Sequence, residues 1–203
     1  MTKPSTTALD RMHQTLQSYE GSAREYDKLV DPHRPPHIQK ALRRLVEVLP
    51  PGGRVLEIGS GPGRDADVLE SLGLAVRRTD ATQAFVDLMV ERGKHAELLN
   101  VVTDELGGPY HGVLAMGVLI HVDRNQTDAV LRKIHTALRP GGAFLAAMRE
   151  GEGETTGEYH TVCWTRERFT ERLAAASLSV SWDADSVGRD GNNWVTYLAR
   201  RAP

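Results

Sequence analysis

Glu57-Ile58-Gly59-Ser60-Gly61-Pro62-Gly63-Arg64-Asp65 is the stretch that decides the fold. Arg54 to Ile58 leads into it as a short apolar strand, and Arg64 to Leu72 leaves it as a helix. Glycines at 59, 61 and 63 let the chain reverse sharply and let a ligand approach the backbone without Cβ interference. The helix that follows turns its free N–H groups into the same space. The dinucleotide fingerprint Gly-x-Gly-x-x-Gly fails here, because its third glycine position falls on Arg64. A Walker phosphate loop fails too, since no Gly-Lys-Ser/Thr follows. A carboxylate at Glu57 sits badly beside a pyrophosphate but suits a cationic ligand, such as an α-amino group or a sulfonium.

Working outward, the chain alternates strand and helix. Upstream, Ile38, Ala41, Leu42, Leu45, Val46 and Leu49 recur at three- and four-residue steps, describing one face of a helix over 37–49. Downstream, Leu74 to Thr79 reads as strand, Gln83 to Arg92 as helix, and Leu98 to Thr103 and Gly112 to Leu119 as strands. Gln126 to Leu138 is an amphipathic helix stopped by Pro140-Gly141-Gly142, followed by a buried strand over Ala143 to Met148. A polar stretch from Arg149 to Val162, a helix at Arg166 to Ala176 and a hairpin of Leu178 to Val187 with Trp194 to Arg200 complete the chain. The alternation implies an α/β fold: a three-layer α/β/α sandwich of about seven strands, the sheet mostly parallel with an antiparallel terminal strand.

Composition agrees with one folded domain. The chain has 203 residues, 40% hydrophobic and 26% charged, and its 25 Lys+Arg against 27 Asp+Glu leave a formal charge of -2. That balance makes nucleic acid an unlikely partner. The single cysteine, Cys163, excludes an intramolecular disulfide and a Cys-cluster metal site. No apolar run approaches a membrane span, and Met1 to Thr7 lacks the apolar core of a signal peptide, so a cytoplasmic protein is expected. Residues 1–36 read as an arm: a helix from Thr7 to Tyr19, a break at Gly21, a segment with Tyr26 and Leu29, and a proline connector ending at Pro36. The main domain is expected over 37–203. Asp31, His33 and His37 lack the further ligands that a metal site needs, so no metal is expected.

Two further strand ends carry acids. Asp80 lies 21 residues beyond Gly59, the spacing of a ribose-binding carboxylate, with Ala81 beside it. Thr103-Asp104-Glu105 ends the next strand, where an acid can accept from an adenine amino group.

With these residues in place, the sequence resembles a class I S-adenosylmethionine-dependent methyltransferase of the small bacterial type. Glu57 to Gly63 match that family's first motif, Asp80 its second and Asp104 its third. Gly112 to Asp123 and Leu138-Arg139-Pro140-Gly141-Gly142-Ala143 match its fourth and fifth, so the likeness spans roughly residues 37–200. It departs at His111, where many relatives carry Asp, a position that supports the strand rather than the chemistry. The resemblance implies a Rossmann-like fold, S-adenosyl-L-methionine as cofactor, and methyl transfer as the reaction. It carries over Glu57, Gly59, Ser60, Gly61, Gly63, Asp80, Ala81, Thr103, Asp104, Glu105 and Met116 as cofactor contacts. In relatives an N-terminal arm folds over the cofactor, which implies that Tyr26 reaches the methionine carboxylate.

Methyl transfer needs alignment and exclusion of water, and a base only where the nucleophile must lose a proton. The acceptor side is expected from the arm and the loops after the fourth and fifth strands: Tyr19, His121, Arg149, Glu150, Tyr159 and His160. His121, at the fourth strand's end, is either the catalytic base or a strand-end cap. Glu150, Glu152 and Glu154, with Asp123, suggest an acidic loop that draws in an amine. The expected activity is methylation of N or O in a small molecule by a monomer or homodimer. A peptide or tRNA acceptor, favoured if Arg43, Arg44, Arg77 and Arg78 form one basic strip, and a non-catalytic cofactor-binding module are the alternatives.

Overall fold

The computed structural model describes residues 6–30 and 33–203; the N-terminal residues 1–5, read for targeting signals, and Asp31-Pro32 of the connector lie outside the described residues. The elements are α1 (Thr6–Leu29), α2 (Pro36–Glu47), β1 (Arg54–Ile58), α3 (Arg64–Ser71), β2 (Ala75–Asp80), α4 (Gln83–Glu91), β3 (Ala96–Leu98) and β4 (Tyr110–Met116). A 3-10 turn (Leu119–His121) follows, then α5 (Arg124–Ala137), β5 (Leu138–Arg149), β6 (Glu154–Thr155), β7 (Thr161–Val162), α6 (Arg166–Ala175), β8 (Leu178–Val187) and β9 (Asn193–Arg201).

The main sheet has seven strands in the order β3-β2-β1-β4-β5-β9-β8. β1 to β5 run parallel, while β9, the last strand in the chain, is antiparallel to both its neighbours. The chain lays down β1, β2 and β3 outward in one direction, then returns to place β4 on the other side of β1. Strand order therefore reverses between β1 and β4, and the crevice beyond their carboxyl ends is where an open α/β sheet holds a ligand.

Alternation along each strand divides the interior between the two faces. Leu56 and Ile58 of β1, Val113 and Ala115 of β4, and Phe144, Ala146 and Met148 of β5 join one core with α5 and α6. Val55, Leu114, Ala143 and Leu145 point the other way, onto Ala41, Leu42 and Leu45 of α2 and Leu69 of α3. Burying one such aliphatic side chain is worth about 1.5–3 kcal/mol, so the doubly covered central strands are the anchor of the site above them. His111 sits in this frame: its Nδ1 accepts the backbone N–H of Arg54 at 3.0 Å, tying β4 to the start of β1.

Three expectations are corrected. The arm is one helix through Gly21, not a helix that ends at Tyr19. A helical glycine costs about 1 kcal/mol, and the packing of Ala23 against Phe85 and Leu88 of α4 outweighs it. β3 stops at Leu98, because the β-branched run Val101-Val102-Thr103 is folded into a turn in which Asp104 Oδ2 accepts the N–H of Asn100 at 2.9 Å. The polar stretch after β5 contains a small ribbon, β6 paired with β7, outside the main sheet. No helix among the described residues is long and apolar enough to cross a membrane.

Candidate active site

Beyond β1 the glycine loop takes a left-handed backbone conformation that favours glycine. Gly59 and Gly61 have φ of +65° and +52°, and a Cβ on Gly59 would lie 2.5 Å from Cγ2 of Val118. Asp80, at the end of β2, fixes this loop. Its Oδ2 accepts the Gly61 N–H at 2.8 Å and its Oδ1 the Thr82 N–H at 2.9 Å. A carboxylate has about four acceptor positions, so Asp80 keeps acceptor capacity. Burial, opposed by these backbone hydrogen bonds, pushes its pKa up to about 6.

Glu57 does something other than line a binding surface. It is buried beneath the loop, accepts the Ser60 hydroxyl at 2.5 Å, and contributes to neither cavity described below. Burial, with the nearby charge of Asp65, pushes its pKa from 4.5 up to about 8. The folded chain then holds this proton more firmly than the unfolded chain, so stability is full below 4.5 and falls as pH rises towards 8. One pKa unit corresponds to about 1.4 kcal/mol, so a displacement of this size amounts to a few kcal/mol. Glu57→Gln should flatten that decline and raise the melting temperature most at alkaline pH. Parallel declines with pH in variant and parent melts would refute this.

Two cavities meet at the carboxyl edge. The first, about 800 Å³ including its open mouth, is lined by Gly59, Gly61, Asp80, Ala81 and Thr82, by Phe85, by Leu99 to Val102, and by Met12, Thr15, Leu16, Tyr19 and Tyr26 of α1. The second, about 1540 Å³ including its mouth, opens between α1, α2 and the β8–β9 hairpin, with Arg149, Tyr159 and Trp194 in its wall. Tyr19, Tyr26, Met116, Gly117 and His121 border both.

At this junction His121 Nδ1 lies 2.7 Å from the backbone carbonyl of His160, and His121 Nε2 lies 2.9 Å from the Tyr19 hydroxyl. A carbonyl only accepts, so Nδ1 carries the hydrogen. Burial lowers the His121 pKa, which keeps the ring neutral and leaves Nε2 as a bare acceptor for the Tyr19 O–H. Burial likewise raises the Tyr19 pKa. The Tyr19 ring is wedged against Tyr159, His121 and Phe85 at centroid distances of 4.6, 5.5 and 5.9 Å.

α1 is fastened to this edge along its length. Arg11 pairs with Asp123, Gln14 Nε2 and Ser18 Oγ each donate at 2.7 Å to the carbonyls of Gly157 and Glu158, and the His160 N–H donates to Thr15 Oγ1 at 2.9 Å. Glu20 accepts the N–H groups of Gln83 and Ala84 at 2.6 and 3.0 Å, capping α4, whose own N-cap residue Thr82 makes no side-chain cap. Asp123, Glu154 and His160 bring ligand atoms within 4.8 Å of one another. Both Asp123 oxygens are already engaged, by Arg11 and by the Asn125 N–H, and the guanidinium opposes a further cation there.

Of the residues singled out from sequence, Gly59, Gly61, Asp80, Ala81, Met116 and Tyr26 line the first cavity, and Tyr19, His121, Arg149 and Tyr159 the second. Ser60 and Gly63, like Glu57, support the loop without lining it. Thr103, Asp104 and Glu105 are exposed and lie off the site, because the carboxyl end of β3 is at Leu98. Glu150 is turned away: β5 continues to Arg149, which faces Trp194, so the next side chain points to the opposite face. Glu154 lies in the outer ribbon, 3.2 Å from the His160 ring, and neither it nor Glu152 nor Asp123 lines either cavity. His160 acts through its backbone, not its ring. Sequence reasoning missed Met12, Thr15 and Leu16, although their spacing with Tyr19 and Tyr26 is that of one helical face.

Residues 30–177 match the family described as Methyltransferase domain. Solved structures that share the fold include three with small differences in length from this chain. The 1,6-didemethyltoxoflavin-N1-methyltransferase of Burkholderia thailandensis, bound to 1,6-didemethyltoxoflavin and S-adenosylhomocysteine, is 20% identical with TM-score 0.81, over 100% of this chain and 94% of that one. The N-methyltransferase NodS of Bradyrhizobium japonicum WM9, with S-adenosylhomocysteine, is 13% identical with TM-score 0.75, over 95% and 100%. The CcbJ methyltransferase of Streptomyces caelestis is 17% identical with TM-score 0.74, over 90% and 96%. No curated protein sequence matches the chain.

Proposed function

Because the chain belongs to the methyltransferase domain family and is an S-adenosylmethionine-dependent methyltransferase, we propose that it methylates N or O of a small molecule held in the second cavity, with the cofactor in the first. This reading rests on the shared wall of Tyr19, Tyr26, Met116, Gly117 and His121, which both cavities border.

The residues of the first cavity fit the cofactor. Gly61 leaves space that a side chain would enter, Asp80 keeps acceptor capacity for ribose hydroxyls, and Phe85, Leu99 and Val101 offer an apolar slot for a flat base. Bound there, S-adenosylmethionine supplies an electrophilic methyl group on a sulfonium. In our reading the chain's own part is alignment, exclusion of water and removal of one proton. The Tyr19 hydroxyl takes the acceptor's proton as it passes its own to Nε2 of His121, and the His160 carbonyl holds the resulting imidazolium through Nδ1–H.

Two of the three relatives are named N-methyltransferases, which supports nitrogen as an acceptor atom. The acidic-loop argument for an amine loses its basis, because Glu150, Glu152 and Glu154 line neither cavity. A macromolecular acceptor gains nothing from the basic strip. Arg78 is 3% exposed and paired with Asp67 and Glu70, and Arg77 is held by Glu97. The test is turnover: the chain and S-adenosylmethionine, offered small phenols, hydroxy acids and amines, should yield S-adenosylhomocysteine with at least one. Formation only with tRNA or peptide would overturn the small-molecule reading.

In the same reading α1 is a cover, since it supplies part of the first cavity's wall. Deleting residues 1–20 removes the Arg11, Gln14, Thr15 and Ser18 fastenings and the Tyr19–His121 hydrogen bond. The truncated chain should remain folded, bind S-adenosylhomocysteine more weakly and turn over slowly. Turnover at the parent rate would rule the cover out.

A further inference from the structure

The second cavity carries a charge pattern opposite to that of the acidic loop. Three arginines, Arg34, Arg149 and Arg189, line it against one carboxylate, Asp190. Their charges are not equally spent. Arg34 makes a two-point contact with Asp65, at 2.6 and 3.2 Å. Arg149 pairs with Asp190 through Nη2 and lies over the Trp194 ring at 5.6 Å, but its buried Nε has no hydrogen-bond partner. Arg189 has no ion-pair partner among the described residues; its Nη1 donates only to the carbonyl of Leu29. The cavity thus holds one cation without a carboxylate and one buried N–H donor without an acceptor, and a buried charged donor left unmatched is costly. Four aromatic rings, Tyr19, Tyr26, Tyr159 and Trp194, stand in the same wall among aliphatic side chains.

We propose that the acceptor is an aromatic molecule bearing an anionic oxygen group, a carboxylate or a phosphate, seated against Arg149 and Arg189. Its ring lies among the tyrosines, and its nucleophilic N or O reaches the Tyr19–His121 junction. This deepens the reading of the second cavity as the acceptor site and rests on it. Arg149 and Arg189 border only the second cavity, so the anionic group sits away from the junction. The positive mouth also raises the local concentration of anions over cations.

The test is calorimetric titration of the full chain, saturated with S-adenosylhomocysteine, with four probes that share one ring: 4-hydroxyphenylacetate, 4-hydroxyphenyl phosphate, 4-hydroxyphenylacetamide and tyramine. At least one anionic probe should bind about tenfold more tightly than the amide and the amine, and the preference should shrink at high salt. Whichever of the carboxylate and the phosphate binds more tightly identifies the group. In an Arg149→Gln/Arg189→Gln chain the preference should disappear while S-adenosylhomocysteine still binds, which also shows that the variant is folded. If that variant does not fold, the salt dependence of the parent's preference decides alone. Amide or amine binding as tightly as both anions, or no binding by either anion, overturns the proposal and leaves the cofactor reading standing. Failure of S-adenosylhomocysteine itself to bind the parent brings down the site reading and this inference together.

Discussion

Replacing Tyr19 by Phe, or His121 by Gln, is expected to lower kcat by about 10²–10⁴-fold, the range that one positioned acid–base group contributes. The measurement uses whichever acceptor turns over in the panel. Tyr19→Phe keeps the ring that packs on Tyr159 and Phe85 and removes only the hydroxyl that donates to His121 Nε2. S-adenosylhomocysteine affinity should therefore stay within about threefold, a change below 1 kcal/mol. The two groups act as one relay, so the double variant should fall little further than either single one. The pH profile gives a second readout. His121 must be neutral to accept a proton, and burial lowers its pKa, so kcat should hold steady on moving below the ordinary histidine value of 6.5 before it declines. Independent, multiplicative losses in the double variant would show that Tyr19 and His121 do not form a relay.

Asp80→Ala is expected to weaken S-adenosylhomocysteine binding by about 2 kcal/mol or more, roughly 30-fold, through lost hydrogen bonds to a charged group. The loss has two parts. The carboxylate no longer accepts from ribose hydroxyls, and the Gly61 and Thr82 N–H groups lose the acceptor that shapes the loop. Protonation of Asp80 has the same sign as its removal. With the Asp80 pKa near 6, parent affinity should decline as pH falls through that value, whereas Asp80→Asn should show a weaker and flatter profile. Unchanged affinity in Asp80→Ala would remove this residue from the site.

What was legible in the sequence follows from physics that is local in the chain. Glycines at 59 and 61 and an acid 21 residues beyond Gly59 declare the turn and its partner, because φ above zero and strand-end spacing are set over short distances. The two terminal strands were readable for the same reason, through their alternation and turn residues. Asp104 was misplaced because Val101-Val102-Thr103 has strand propensity, while the fold closes a turn there on Asn100 and Asp104. The helix through Gly21 was hidden, since Glu20 and Ala23 are stabilised by α4, more than sixty residues away. The charge of the second cavity was also invisible: it depends on which arginines are paired with Asp65 and Asp190, and on β5 turning Arg149 inward and Glu150 outward.

The glycine loop beyond β1 is expected to hold S-adenosylmethionine. Titrating S-adenosylhomocysteine into the full chain and into its Gly61→Val variant tests it most directly. Gly61 has φ +52°, and a Cβ there would lie 3.8 Å from Cε1 of Tyr26, so a valine would place its branched side chain in the wall of the first cavity, on a backbone conformation that β-branched residues disfavour. The parent should show one saturable site, and the variant should bind nothing detectable while still melting cooperatively. Equal affinity in the two chains, or no binding in the parent, would contradict it.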